Sequence, residues 1–149
     1  MDKLSFNDYS TTVNRYSDNY KKYGHNQKAL GWGNKGRQLE RFEILANLAS
    51  ISNKEPVSVI DIGAGFGDLF KFLSDYNINI KEYTGYEIVP NLVEQGNKAY
   101  GHNSNFRLIE GDFLELVKRQ DVSQVDHCFM SGCFNFKLQD SSNYNYIHT

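Results

Sequence analysis

The chain has 149 residues, a formal net charge of −2 and two cysteines. That length points to one domain, which can bury roughly 68–70% of its unfolded surface. No basic block marks a nucleic-acid or acidic-membrane partner, though a local patch could hide in a near-neutral total, and no apolar run approaches the roughly 20 residues that span a bilayer. The N-terminus, "MDKLSFNDYSTTVNRYSDNY", has no apolar core of a secretory signal, so a cytoplasmic protein is expected.

Ser5 to Tyr23 reads as a helix, with Phe6, Tyr9, Val13, Tyr16 and Tyr20 recurring at spacings of three and four. Glycines and asparagines then mark Gly24 to Gly36 as a loop, with the single tryptophan, Trp32, between Gly31 and Gly33. Gly36 to Ser50 is a second expected helix. Leu39, Phe42, Leu45, Ala46 and Ala49 form its apolar stripe, and Arg37, Gln38, Glu40 and Arg41 lie off it. Strands and helices alternate after that. Val57–Ile62 is a strand, Phe66–Tyr76 a helix, and Tyr83–Ile88 a strand begun near Ile80. Val89–Tyr100 is a helix, with Pro90 suited to its first turn. Asn105–Glu110 is a strand, Phe113–Arg119 a short helix, and Val125–Ser131 a buried fourth strand. The tail "LQDSSNYNYIHT" reads as loop. This alternation argues for an α/β fold, a Rossmann-like parallel sheet flanked by helices. Cys128 and Cys133 lie in or beside the fourth strand, where buried thiols in a reducing compartment are expected. A metal reading has little behind it, because no second Cys-x-x-Cys or His pair follows.

The most informative run is "VIDIGAGFGDLF", Val59 to Phe70. A strand that turns straight into a helix puts free amide N–H groups and the positive helix end at the carboxyl edge of the sheet. Ligands of open α/β sheets bind there. Gly63 permits the sharp turn, Gly65 leaves the backbone bare, and Gly67 permits close helix–strand packing. A turn that merely needs glycine is the bland alternative. A dinucleotide fingerprint would carry glycine at position 68, where Asp68 stands, and Asp61 adds negative charge two residues before Gly63. A diphosphate is therefore disfavoured, and no G-K-[ST] phosphate loop occurs. The pattern suits a phosphate-free ligand bearing positive charge.

"VIDIGAGFG" resembles the first motif of class I S-adenosylmethionine-dependent methyltransferases, an acid, one residue, then G-x-G-x-G. The resemblance runs from about Leu30 to Lys137. It implies S-adenosyl-L-methionine as cofactor, held by Asp61, Gly63, Ala64, Gly65 and Gly67. Glu87 and Ile88 follow the second strand about 20 residues on, where ribose-binding acids occur. A solvent-facing glutamate is the alternative. Asp112 and Phe113 resemble the adenine-recognition segment, and Asp112 could equally cap the next helix. Ser131 and Gly132 resemble the strand end beside the methionine part, with Phe134, Asn135 and Phe136 then facing substrate; a plain turn is the alternative. "KALGWGNKGRQLERF" resembles the lead-in of a subset whose N-terminal segment folds over the cleft. That implies a helical lid or cap at residues 1–55, with Tyr16, Trp32, Gln38 and Arg41 as lid or cofactor contacts, and a cofactor-binding core at 56–149. Trp32 could instead be a core anchor.

The implied reaction is in-line methyl transfer to an oxygen or nitrogen. The Asn/Asp-Pro-Pro-aromatic motif of adenine or amide methylation is absent, and "SGCFNF" occupies its place, pointing to a small molecule or sugar. No residue declares itself as the base. His102, His127 and His148 are scattered, and His25 beside Trp32 is the best candidate. The family's sheet continues beyond the fourth strand, so this chain is expected to lack the usual C-terminal strands and to leave an edge for a longer product, a second copy or another chain. A non-catalytic cofactor-binding module is the second reading, and an NAD-dependent oxidoreductase the third.

Overall fold

The computed structural model describes residues 4–33, 37–51, 54–119, 124–133 and 138–140. Among the described residues, nine elements run α1 (Phe6–Tyr23), α2 (Arg37–Leu48), β1 (Val57–Ile62), α3 (Asp68–Asp75), β2 (Ile80–Glu87), α4 (Pro90–Tyr100), β3 (Phe106–Glu110), α5 (Phe113–Lys118) and β4 (His127–Met130). The four strands form one sheet in the order β3-β2-β1-β4, and every pairing is parallel. Ile62 pairs with Tyr86 and with Met130, and Glu87 with Glu110, so the strands end together along one edge. This is the expected Rossmann-like α/β fold.

Local chemistry sets the element ends. Ser5 caps α1 by accepting from the Asp8 N–H at 3.0 Å. Gly67, at φ 80°, is left-handed, so α3 starts at Asp68 rather than at Phe66. Pro90 opens α4, where its missing N–H costs nothing. Asp112 caps α5 through the Leu114 N–H at 3.0 Å.

Two apolar clusters hold the layers. The larger joins β1, β2 and β3 to α3, with Val59, Leu69, Leu73 and Tyr83 almost fully buried. The Phe106 ring stacks on Tyr83 at 5.4 Å and meets Phe70 at 5.0 Å. The smaller consists of Ala29, Phe66, Val89 and Leu92, against which Val13, Tyr16, Tyr20 and Leu30 pack. It fastens α1 and the following turn to the carboxyl edge of the sheet.

Some expected placements differ. Phe6 is 87% exposed, and Asp8 and Thr12 are the buried residues of α1 instead. The Asp8 carboxylate earns that position by accepting the Gln139 N–H at 2.6 Å. On α2, Phe42, Leu45, Ala46 and Ala49 face the core as expected, but Leu39 is 56% exposed and Gln38 is buried in its place. β4 buries Phe129 alone, and Cys128 is exposed while Cys133 is half-buried. The expectation of two buried thiols fails for Cys128 because β4 pairs only with β1 among the described residues. Gly36, Phe134, Asn135, Phe136, His148 and the tail beyond Asp140 lie outside the described residues.

Candidate cofactor-binding site

The turn after β1 is pinned to the neighbouring strand. The Gly63 and Ala64 N–H groups both donate to the Tyr86 carbonyl, at 2.8 and 3.1 Å. Gly63, Gly65 and Gly67 have φ of 70°, 59° and 80°, which side chains resist. A Cβ on Gly67 would stand 2.8 Å from the Phe106 ring, so bareness there serves helix–strand packing. A Cβ on Gly65 would stand 2.9 Å from Leu30 Cδ1, a side chain from the turn after α1. On Gly63 it would run into Cys133 Sγ, whose thiol donates to the Ile62 carbonyl at 2.9 Å.

Glu87, at the end of β2, is buried, which removes the solvent-facing alternative. Its Oε2 accepts the Gly65 N–H at 2.9 Å and its Oε1 accepts the Val89 N–H at 3.0 Å. A carboxylate has about four acceptor positions, and with the Ile88 N–H also drawing on this one, acceptor capacity is still left over. Hydroxyl donors of a ligand match that remainder. Burial pushes the Glu87 carboxyl up to about 7, against the pull of the Gly65, Val89 and Ile88 N–H groups.

Asp61 is also buried, but it faces the core rather than the cleft. Tyr83 OH donates to its Oδ2 at 2.6 Å, and burial raises it to about 6 despite that bond. Its acidity thus belongs to a bond between β1 and β2. Tyr83→Phe is expected to cost about 1–3 kcal/mol above pH 7, where the carboxyl must either ionise without its donor or take up a proton. The deficit should shrink below pH 5 as the carboxyl becomes neutral; denaturant midpoints across that range check it.

Asp68 joins three elements at the first turn of α3. Its Oδ1 accepts Tyr100 OH at 2.8 Å and His25 Nε2–H at 3.0 Å, and Gln38 Nε2 lies 3.5 Å from Oδ2. Burial pushes Asp68 up, yet these bonds hold it below the usual carboxylate range. His25 stacks on Phe66 with ring centroids 4.0 Å apart.

A cleft opens at the sheet edge, lined by Tyr16, Leu30, Trp32, Gly63, Gly65, Glu87, Leu92, Ser131 and Gly132. Residues named from five separate stretches of sequence therefore meet in one place. Burial raises the Tyr16 hydroxyl. The Arg41 guanidinium lies 4.6 Å over the Trp32 ring and braces that wall. Asp61, Gln38 and His25 are not among the lining residues, nor are Ala64, Gly67, Ile88, Asp112 and Phe113. Of these, Asp112 is spent partly on its cap, Phe113 packs 5.4 Å from the Tyr86 ring, and the Ile88 carbonyl accepts Tyr9 OH at 3.3 Å. Leu30 and Leu92 line the cleft without having been singled out, since a leucine in a loop or helix carries no chemical signal.

A bare turn, a buried carboxylate with acceptor capacity left over and an aromatic wall fit a phosphate-free nucleoside. The comparisons agree in kind. The family described as Methyltransferase domain matches residues 60–144, more than half of the chain. No curated protein sequence matches significantly. Among solved structures, phosphoethanolamine N-methyltransferase 1 of Haemonchus contortus, in complex with phosphoethanolamine and S-adenosylhomocysteine, is similar at 20% identity and TM-score 0.52, over 71% of this chain and 21% of that one. A Pyrococcus horikoshii protein named as a candidate RNA methyltransferase is similar at 22% identity and TM-score 0.56, over 77% of this chain and 54% of that one. This chain belongs to the methyltransferase-domain family, an S-adenosylmethionine-dependent enzyme family. It spans about a fifth of the first of these structures and about half of the second.

Among the described residues no helix is long and apolar enough to cross a membrane. No group of three or more His, Cys, Asp or Glu among them is arranged to hold a metal ion.

Proposed function

We propose that the cleft binds S-adenosyl-L-methionine and that the chain serves methyl transfer to an oxygen or nitrogen of a small molecule or sugar. The single observation that carries this reading is Glu87, buried at the end of β2 and bonded to the Gly65 N–H of the glycine turn, with acceptor capacity left over. Bound cofactor supplies a methyl group already activated by its sulfonium. The chain's own work is then to hold and orient. Glu87 grips the ribose hydroxyls through charged hydrogen bonds. The bare backbone from Gly63 to Gly65 admits the methionine part beside Ser131 and Gly132. Asp112 and the Phe113 backbone take the adenine edge, and Tyr16 and Trp32 close the cleft from the N-terminal side as a lid formed by residues 1–55. Orientation of this kind can supply roughly 7–11 kcal/mol of a barrier. The outer side of β4 is where a second chain or further strands would pair.

Charge on Glu87 gives the proposal a pH signature. The free carboxyl sits at about 7, so at pH 6 about a tenth of it is ionised. Hydroxyl donors favour the charged form and lower that value on binding. Affinity for S-adenosylmethionine is therefore expected to fall as pH drops through 7, by roughly tenfold between pH 8 and pH 6. Glu87→Gln should flatten the profile.

Calorimetric titration with S-adenosylmethionine, S-adenosylhomocysteine and NAD tests the cofactor, and transfer of labelled methyl to a metabolite pool tests the enzyme. Binding of the first two without NAD supports the reading. Binding without any transfer would favour a non-catalytic cofactor module, and NAD alone would defeat both.

A further inference from the structure

We propose that His25 and Asp68 are positioning residues, a latch that holds the turn after α1 across the cleft and sets how long the cofactor stays bound. The second half of this rests on the cofactor reading above.

The turn reaches far into the site yet is thinly attached. Ala29 is fully buried between Phe66, Val89 and Leu92, and Leu30 and Trp32 line the cleft. Leu30 lies directly over Gly65, whose N–H donates to Glu87. The backbone bonds of this stretch stay within it: the Ala29, Leu30, Gly31 and Trp32 N–H groups donate to Asn26, Gln27, Lys28 and Gln27 carbonyls. Asn19 Nδ2 donates to the Ala29 carbonyl at 3.3 Å, which ties the turn to α1 and not to the core. Among the described residues, the one side-chain hydrogen bond from the turn to the sheet-and-helix core is His25 to Asp68, at 3.0 Å.

Geometry makes that bond strong. The imidazole is fixed on its face by Phe66, 4.0 Å away, and on its edge by the carboxylate. Asp68 sits at the first turn of α3, where a negative charge is favoured. Tyr100 holds the same Oδ1 from α4, so the acceptor is anchored independently of the turn. His25 follows Gly24, at φ 64°, which lets the chain break direction directly after α1. Leu30 and Trp32 thus stand on a turn that the burial of Ala29 seats, that Arg41 braces at Trp32 and that one hydrogen bond, a few residues upstream, fastens to the core. With Nε2 committed to Asp68 and the ring outside the cleft lining, His25 serves better as a clasp than as a base.

The test uses the whole chain. Hydrogen exchange is followed in the ligand-free protein, and S-adenosylhomocysteine dissociation is followed by stopped flow, for His25→Ala, His25→Gln and Tyr100→Phe. In His25→Ala, amides of residues 26–33 should exchange several-fold faster while those of β1 and β2 keep their rates. Dissociation should quicken by roughly tenfold, the worth of one hydrogen bond to a charged group. His25→Gln keeps a donor and should recover most of both effects. Tyr100→Phe removes only the hydroxyl bond to Asp68 Oδ1 and keeps both the ring that meets His25 edge-on and the His25–Asp68 bond, so exchange in the turn should stay near wild type. Unchanged exchange in His25→Ala, or equal acceleration in Tyr100→Phe, overturns the latch. A wild-type chain that binds no S-adenosylhomocysteine overturns the cofactor reading and the claim on residence, and leaves exchange to decide the latch alone.

Discussion

Glu87→Ala is expected to weaken S-adenosylmethionine binding by about 1.5–3 kcal/mol, roughly ten- to hundredfold. Glu87 has two tasks that the substitution removes together. It accepts the Gly65 and Val89 N–H groups, which hold the glycine turn and the start of α4 in place. It also keeps acceptor capacity for the ligand. Both backbone donors lie in a buried setting, so orphaning them should also lower stability, by about 1–3 kcal/mol for each donor left dry. Calorimetry at a temperature where the variant is folded separates the two effects. Glu87→Gln keeps one acceptor oxygen and should fall between wild type and alanine. Unchanged affinity in a folded Glu87→Ala protein would count against the ribose role.

Gly96→Ala is expected to destabilise the chain by about 1–3 kcal/mol, although alanine is the better helix former by about 1 kcal/mol. Gly96 lies in the middle of α4, facing the glycine turn. A Cβ there would overlap the Phe66 carbonyl oxygen and stand 2.5 Å from Leu108 Cδ2. The obstacle is backbone, which cannot swing aside as a side chain would. Phe66 is fully buried and belongs to the turn, so relief must come by pushing the turn outward or tilting α4 away from β3. The Asn97 Nδ2 bond to the Leu108 carbonyl, 3.0 Å, opposes the tilt. Denaturant midpoints for the two proteins decide the matter. A midpoint that rises would mean that propensity outweighs the clash and that the α4 contact is looser than described.

The contrast between these two residues shows what could be read from the chain alone. Glu87 was accessible because a carboxylate at a strand end, some 20 residues beyond a glycine turn, is a chemical pattern in one dimension. Gly96 was not, since a glycine inside "VEQGNKAY" reads only as a weak point in a helix. Its partner, Phe66, is brought to it by tertiary packing. β1 was read to the residue because six residues of β-forming chain end abruptly at Gly63. The start of α3 was misplaced by two residues because the left-handed backbone of Gly67 overrides the apolar run around it. The resemblance of the first motif implies a place for Asp61 at the ligand site. Its bond to Tyr83 crosses two strands and cannot be seen in spacing. The same holds for Asp68, read as a charge that repels a diphosphate. Its three donors come from the turn after α1, α2 and α4, and only the fold collects them.

The most direct measurement is a crystal structure of the chain soaked with S-adenosylhomocysteine. The account predicts both ribose hydroxyls within hydrogen-bonding distance of the two Glu87 oxygens, with the Gly65 and Val89 N–H bonds retained and Trp32 against the ligand. A ligand whose sugar lies away from Glu87, or density only outside the cleft while the glycine turn stays bare, would contradict it.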